Sequence, residues 1–356
     1  MKKIFFISIT LLLAVLASCT GKKNEEETKG PVIIAYLTGH NGAIDITRIA
    51  ANKVTFINYV SAKIEADKAT LANKAVDSEN IKALTGLKEQ NPNLKILISI
   101  GNSPLEQKEP AIALTAEGQQ TFVKSTVEIL KRYDLDGIDI DGQYSSTYAA
   151  IRAELDALEK EADRKYLLTA SVEGREELIA NTDIAKAQEY LNYVNVRTYD
   201  FQSGDKAAHH TNLSPADKYS PSESVSKSIQ AYIEAGVPAG KLTLSVASYG
   251  RFYELKKGWD KGLGDALAKQ LEVKDYSTIK DSLVNKLEYY RYWDDAAQAP
   301  YLFNFYKGIF VTYDDEESAK AKSLYALTNE LGGIALWDYN SDSKGFLLNA
   351  INQTLK

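Results

Sequence analysis

Apolar residues in this chain come in short dense runs, separated by longer stretches in which they recur every third or fourth position. The dense runs lie at residues 32–36, 54–59, 96–100, 137–141, 167–172, 193–199, 242–247 and 333–337, and their length and composition fit buried strands. Between them, residues 118–133, 148–162, 222–235 and 318–331 carry the spacing of amphipathic helices. Strand alternating with helix around eight strands predicts a closed parallel α/β barrel of the TIM (β/α)8 type. An open doubly wound sheet is the alternative. It ordinarily places a glycine-rich phosphate turn after its first strand, and Tyr36-Leu37-Thr38-Gly39-His40 is not one.

The alternation breaks once, between Ala247 and Gly333, where the chain is too long for a single helix. The intervening stretch holds Gly258, Gly262 and Gly264 and then Tyr289-Tyr290-Arg291-Tyr292-Trp293. It reads as a small insertion over the barrel mouth, approximately residues 252–310 of a barrel domain spanning 31–356.

The first thirty residues follow a different pattern. Lys2 and Lys3 precede an apolar run over residues 4–16, too short for a membrane span, and residues 1–18 read as an export signal. Cys19, the one cysteine of the chain, follows in a stretch that resembles a bacterial lipobox, so lipidation at Cys19 is expected and an internal disulfide is excluded. Residues 19–30 are polar and charged without periodicity and read as a flexible tether. The run Glu25-Glu26-Glu27 resembles acidic sorting signals of surface lipoproteins. The expected location is therefore a bacterial membrane, reached through the lipid on Cys19, with the outer membrane and its uptake proteins as the setting. A composition 44% hydrophobic and 25% charged is that of a globular protein. The net charge of −6 and the lack of a basic stripe exclude nucleic acid as a natural partner.

Chemistry concentrates on the fourth strand. Alternation puts Gly137, Asp139 and Asp141 on its inner face and turns Ile138 and Ile140 to the helices, with position 143 continuing the inner line at the C-terminal mouth. Inward carboxylates at a barrel mouth are expensive to desolvate and mark an active or binding site. A carboxylate pair satisfied by neighbouring donors is the alternative.

The stretch Asp136-Gly137-Ile138-Asp139-Ile140-Asp141-Gly142-Gln143-Tyr144 resembles the D-G-x-D-x-D-W-E-Y motif of family 18 glycoside hydrolases, the chitinases and endo-β-N-acetylglucosaminidases. The resemblance extends over residues 31–356. KILISIG at 95–101 is similar to the family's third-strand S-x-G-G element, YVNVRTYDF at 193–201 to its sixth-strand M-x-Y-D, and GVPAGKLTLSVASYGR at 236–251 to its G-V-P…K-L…Y-G-R stretch. Thr312-Tyr313-Asp314-Asp315 and Gly332-Gly333-Ile334-Ala335-Leu336-Trp337 complete the pattern.

The resemblance implies a mechanism in which the substrate's own N-acetyl oxygen is the nucleophile, Asp141 orients the acetamido group, and the side chain at 143 protonates the leaving oxygen. Residue 143 is a glutamine. An amide has no proton to give near neutral pH, and losing a general acid typically costs about 10² to 10⁴ in rate. Gly142 replaces the family tryptophan and Asn102 the second glycine of the third-strand element. Arg197 takes the place of the sixth-strand methionine, inside the barrel with Asn195 and Tyr199, where its guanidinium is expected to reach Asp139 or Asp141 and freeze the acid–base relay as a salt bridge.

The sugar-facing positions are better kept. Trp337 matches the hydrophobic floor under the central sugar, Tyr199 and Asp200 the contacts to its acetamido and hydroxyl groups, and Tyr36, Tyr249 and Arg251 further cleft positions. Glu173, facing the mouth from the fifth strand, is the candidate replacement acid, and Asp338 beside Trp337 is a second. His209-His210, in a polar loop, is weak evidence for a metal without a third ligand, and neither a metal nor a cofactor is expected. The expectation is non-catalytic binding of N-acetylglucosamine-containing glycans by a membrane-anchored chitinase-like protein. The alternatives are a retaining, substrate-assisted hydrolase using another acid, and a protein-binding scaffold.

Overall fold

A computed structural model describes residues 30–39, 42–101, 115–142, 145–179, 182–202, 204–215, 223–256 and 261–356. Its strands are β1 (Val32–Thr38), β2 (Phe56–Glu65), β3 (Lys68–Leu71), β4 (Lys95–Gly101), β5 (Gly137–Asp141), β6 (Leu167–Glu173), β7 (Tyr193–Arg197), β8 (Leu242–Ala247), β9 (Tyr249–Leu255), β10 (Leu267–Asp275), β11 (Tyr289–Asp294), β12 (Ala299–Asn304), β13 (Ile309–Tyr313) and β14 (Gly333–Trp337). The α-helices are α1 (Lys74–Gly86), α2 (Ala116–Arg132), α3 (Ser145–Ala162), α4 (Glu176–Ile179), α5 (Ile184–Ala187), α6 (Val225–Glu234), α7 (Tyr276–Ser282), α8 (Glu316–Thr328) and α9 (Phe346–Leu355).

Parallel pairing runs β1-β14-β8-β7-β6-β5-β4-β2, and a further β1–β2 pairing closes the ring. This is the expected eight-stranded (β/α)8 barrel. Alternation along each strand sorts the side chains. Ile96, Ile98, Ile138, Ile140, Val194, Val196, Leu242 and Leu244 face outward into the main core shared with the helices. Val32, Ile34, Phe56, Leu97 and Ala335 point inward and fill the barrel as a separate small cluster. At Gly137 a Cβ would lie 2.4 Å from the carbonyl oxygen of Leu167, so only hydrogen fits where β5 and β6 pack there.

Helix boundaries follow the caps more closely than the apolar spacing. Expected at 222–235, α6 begins at Val225 because the Ser224 side chain accepts from the Lys227 amide. Expected at 318–331, α8 begins at Glu316 behind a reciprocal Asp315/Ser318 capping box. Between β8 and α8 the chain forms a second, five-stranded antiparallel sheet in the order β10-β9-β13-β12-β11, with α7 in one connection. Its strands run from Tyr249 to Tyr313, a few residues beyond 252–310 on each side. One face is aromatic, with Tyr253, Tyr301, Phe303 and Phe310 packed on Ala207. No helix among the described residues is long and apolar enough to cross a membrane.

Candidate functional site

The C-terminal ends of the barrel strands carry two carboxylate clusters above a polar layer. In that layer Ser99 of β4, Asp139 of β5 and Thr169 of β6 are register partners. Asp139 is fully buried and accepts from Thr169 Oγ1 at 2.5 Å, Ser99 Oγ at 2.8 Å, Asn195 Nδ2 at 3.2 Å and the Tyr36 hydroxyl at 3.2 Å. Asn195 also donates to the Tyr36 hydroxyl at 2.8 Å and accepts from Thr243 Oγ1 at 2.9 Å, so β1, β7 and β8 join the network. Burial raises the Asp139 carboxyl above its ordinary value although Thr169, Ser99, Tyr36 and Asn195 pull it down. The donor-satisfied carboxylate considered for this strand therefore describes Asp139 itself. Of these partners only Asn195 was placed inside the barrel from sequence; Thr169 and Ser99 were not singled out, although each is a polar residue at an inward position of an otherwise apolar strand.

One step nearer the mouth, Asp141 leaves this network. A Cβ on Gly101 would lie 2.4 Å from the Asp141 carbonyl oxygen, so β4 presents bare backbone there. Arg197 of β7 donates through Nη1 to Asp141 Oδ1 and through Nη2 to Glu173 Oε1. No hydrogen bond joins Asp139 to Asp141 among the described residues. Burial pushes the Asp141 carboxyl up to about 6; Arg197 opposes the shift, and Asp139 and Glu173 add to it. Glu173, the candidate replacement acid, is thus an ion-pair partner of a guanidinium rather than a free carboxyl.

A second cluster is built around Asp200, which holds a left-handed backbone conformation (φ 61°) just after β7. Its carboxylate accepts from Arg251 Nε and Nη2 at 2.5 Å each, from the Tyr249 hydroxyl at 2.8 Å and from His210 Nδ1 at 3.3 Å. Burial works against ionisation there too, but His210 and Arg251 overcome it and hold the carboxyl well below the usual range. Burial lowers the His210 imidazole below its ordinary value, although the Asp200 carboxylate pulls it up. Trp337, partly exposed, lies 5.5 Å from the Tyr36 ring and 6.5 Å from the near-parallel Tyr199 ring, and Tyr199 meets Tyr249 edge-on at 6.1 Å. Tyr36 is only 4% exposed and supports the floor from beneath rather than lining it.

Two expectations are revised by these positions. His209 and His210 are not in a polar loop but buried, at 2% and 0% exposure, against the carboxylates of Asp294 and Asp200. Among the described residues no group of three His, Cys, Asp or Glu could hold a metal ion. Asp338 caps the turn after β14, accepting from the Ser341 amide at 2.9 Å and from Thr38 Oγ1 at 3.2 Å, which removes it as a mobile acid. Gln143, Asn102 and Cys19 lie outside the described residues.

Comparison with known proteins places this geometry in context. The family model described as "Glycosyl hydrolases family 18" matches residues 32–342. Chitinase A1 of Niallia circulans is 31% identical over 322 residues, 78% of this chain and 44% of that protein, so this chain spans under half of that relative's length. Chitinase B of Serratia marcescens is 26% identical over 386 residues, 87% of this chain and 77% of that one. A solved family 18 N-acetylglucosaminidase from Paenibacillus barengoltzii superposes with a TM-score of 0.82 at 28% identity, covering 91% of this chain and 100% of that one.

Proposed function

The chain belongs to glycosyl hydrolases family 18, and from that premise we propose that its cleft binds N-acetylglucosamine-containing glycans, of chitooligosaccharide or N-glycan type, without hydrolysing them. The observation that carries this reading is Gln143, which stands two residues after Asp141 where the family motif has its proton donor. The sugar-facing positions are retained in the sequence. Trp337 offers an indole face for stacking, and Asp200, held ionised, offers a fixed acceptor for sugar hydroxyls. The Arg197 ion pair supports the same reading, since a carboxylate tied to a guanidinium is a poor partner for the reorientation and proton exchange that substrate-assisted cleavage requires of Asp141.

Hydrolysis through another acid is the competing reading, favoured by the names of the relatives as chitinases. Its best candidate is Glu173, which would have to break its bond to Arg197 before donating a proton. Export and a lipid on Cys19 belong to the same proposal and would present the cleft at a bacterial membrane, where bound glycans could pass to uptake proteins. Calorimetric titration with an N-acetylglucosamine oligomer series, followed by product analysis of the same mixtures, tests it. Heat of binding without products is expected. Products that disappear in Glu173→Ala would establish the competing reading.

A further inference from the structure

Three consecutive strand ends meet at one guanidinium. In the barrel register Asp141 of β5 lies opposite Ser171 of β6, Ser171 lies opposite Asn195 of β7, and Glu173 lies opposite Arg197. Arg197 and Glu173 therefore stand one inward layer nearer the mouth than Asp141. The guanidinium must reach down past Ser171 to touch Asp141, and the small buried Ser171 side chain leaves that passage open. The side chains of Arg197 and Asp141 are 15% and 11% exposed, while that of Glu173 is 39% exposed at the rim. The β6 end that carries Glu173 is itself pinned, because the Tyr232 hydroxyl of α6 donates to the Glu173 carbonyl oxygen at 2.7 Å.

An arginine with a carboxylate on one side only can swing toward water, whereas bonds from both Nη atoms to carboxylates on two strands fix its plane. From this geometry we infer that Glu173 is a positioning residue: it holds Arg197 across the mouth and so keeps Asp141 engaged as an ion-pair partner rather than open to a ligand's acetamido group. The role gives Glu173 a function other than proton donation, and it rests on the glycan reading for the identity of the ligand. The charged and titratable groups facing Asp141 are Arg197 from β7, Glu173 from β6, Asp139 from its own strand, and the phenols of Tyr199 and Tyr36; β4 contributes the backbone of Gly101.

Two substitutions at position 173 separate positioning from plain electrostatics. Alanine removes both the charge and the acceptor for Nη2, and glutamine removes the charge but keeps an acceptor. The measurement is the titration of the Asp141 carboxyl by ¹³C NMR in the wild type, Glu173→Ala, Glu173→Gln and Arg197→Met. The wild-type midpoint is expected near 6. Arg197→Met should raise it by about one pH unit, the effect of losing a nearby opposite charge. Glu173→Gln should lower it, because a like charge is lost while an acceptor for Nη2 remains, and Glu173→Ala, which loses the same charge and the anchor as well, should lie clearly above Glu173→Gln. Equal midpoints in the two Glu173 variants, or a lower one in Glu173→Ala than in Glu173→Gln, would mean that Glu173 does not hold the arginine and would overturn the inference. The titration needs no glycan, so a failure here leaves the binding reading intact, and an absence of oligomer binding would leave the clamp intact.

Discussion

Asp141 and Asp200 are both largely buried and both paired with an arginine, yet their carboxyls move in opposite directions. Asp200 receives two bonds from Arg251, one from Tyr249 and one from His210, and it stays ionised. Asp141 receives Arg197 but shares it with Glu173 and sits above a third carboxylate, Asp139; it is pushed up to about 6. An arginine therefore does not by itself decide the state of a buried acid. The balance between donors and neighbouring like charges does. One acid is a fixed anionic acceptor suited to sugar hydroxyls, and the other is a group that changes charge near neutral pH.

The comparison can be broken most severely at Asp200. Asp200→Ala leaves Arg251 and His210 facing each other without their carboxylate, and a loss of about 3 kcal/mol or more is expected in denaturant unfolding, together with the loss of oligomer binding. The two acids should also give opposite pH slopes of stability. Asp141 has a folded value of about 6 against an ordinary value of about 3.9, so its contribution is present below about pH 4 and is lost as pH rises to about 6, a change of about 2 to 3 kcal/mol. Asp200 is depressed, so its contribution is present above about pH 4 and lost as pH falls further. Unfolding curves at stepped pH should show Asp141→Asn flattening the first fall and Asp200→Asn the second. The smallest expected effect is that of Arg251→Lys, which keeps the charge but loses the two-point bond. It should weaken stability by about 1.5 kcal/mol in the same unfolding assay.

The sequence made one of these clusters more legible than the other. Period-two alternation placed Asp139 and Asp141 inside the barrel, Ile138 and Ile140 outside it, and Arg197 within reach of the acids, because strand geometry leaves few choices once the barrel closes. Glu173 could be placed at the mouth but not paired, since its partner depends on one long side chain crossing between strands. The cradle of Asp200 was only half visible. Tyr249 and Arg251 lie in a recognisable stretch, whereas His210 arrives from a loop buried by packing with distant segments; the adjacent His209 meets Asp294, which is 85 positions away. No local pattern announces such a contact, so two buried histidines read as polar loop residues. The polar layer under Asp139 was legible in principle, as Ser99, Thr169 and Asn195 share its inward parity, but each looks ordinary until the strands are set side by side.

Both clusters serve the same claim, that the cleft holds its sugar and lacks the acid to cleave it. The most direct test is the rate of product formation from an N-acetylglucosamine oligomer by the wild type, by Gln143→Glu, and by Gln143→Glu combined with Arg197→Met. The account predicts no products from the wild type. It predicts slow cleavage once the acid is restored, and a rate enhanced toward the factor of about 10² to 10⁴ that a general acid supplies once the arginine is also removed. Products from the wild type at a rate matching the double variant would contradict it.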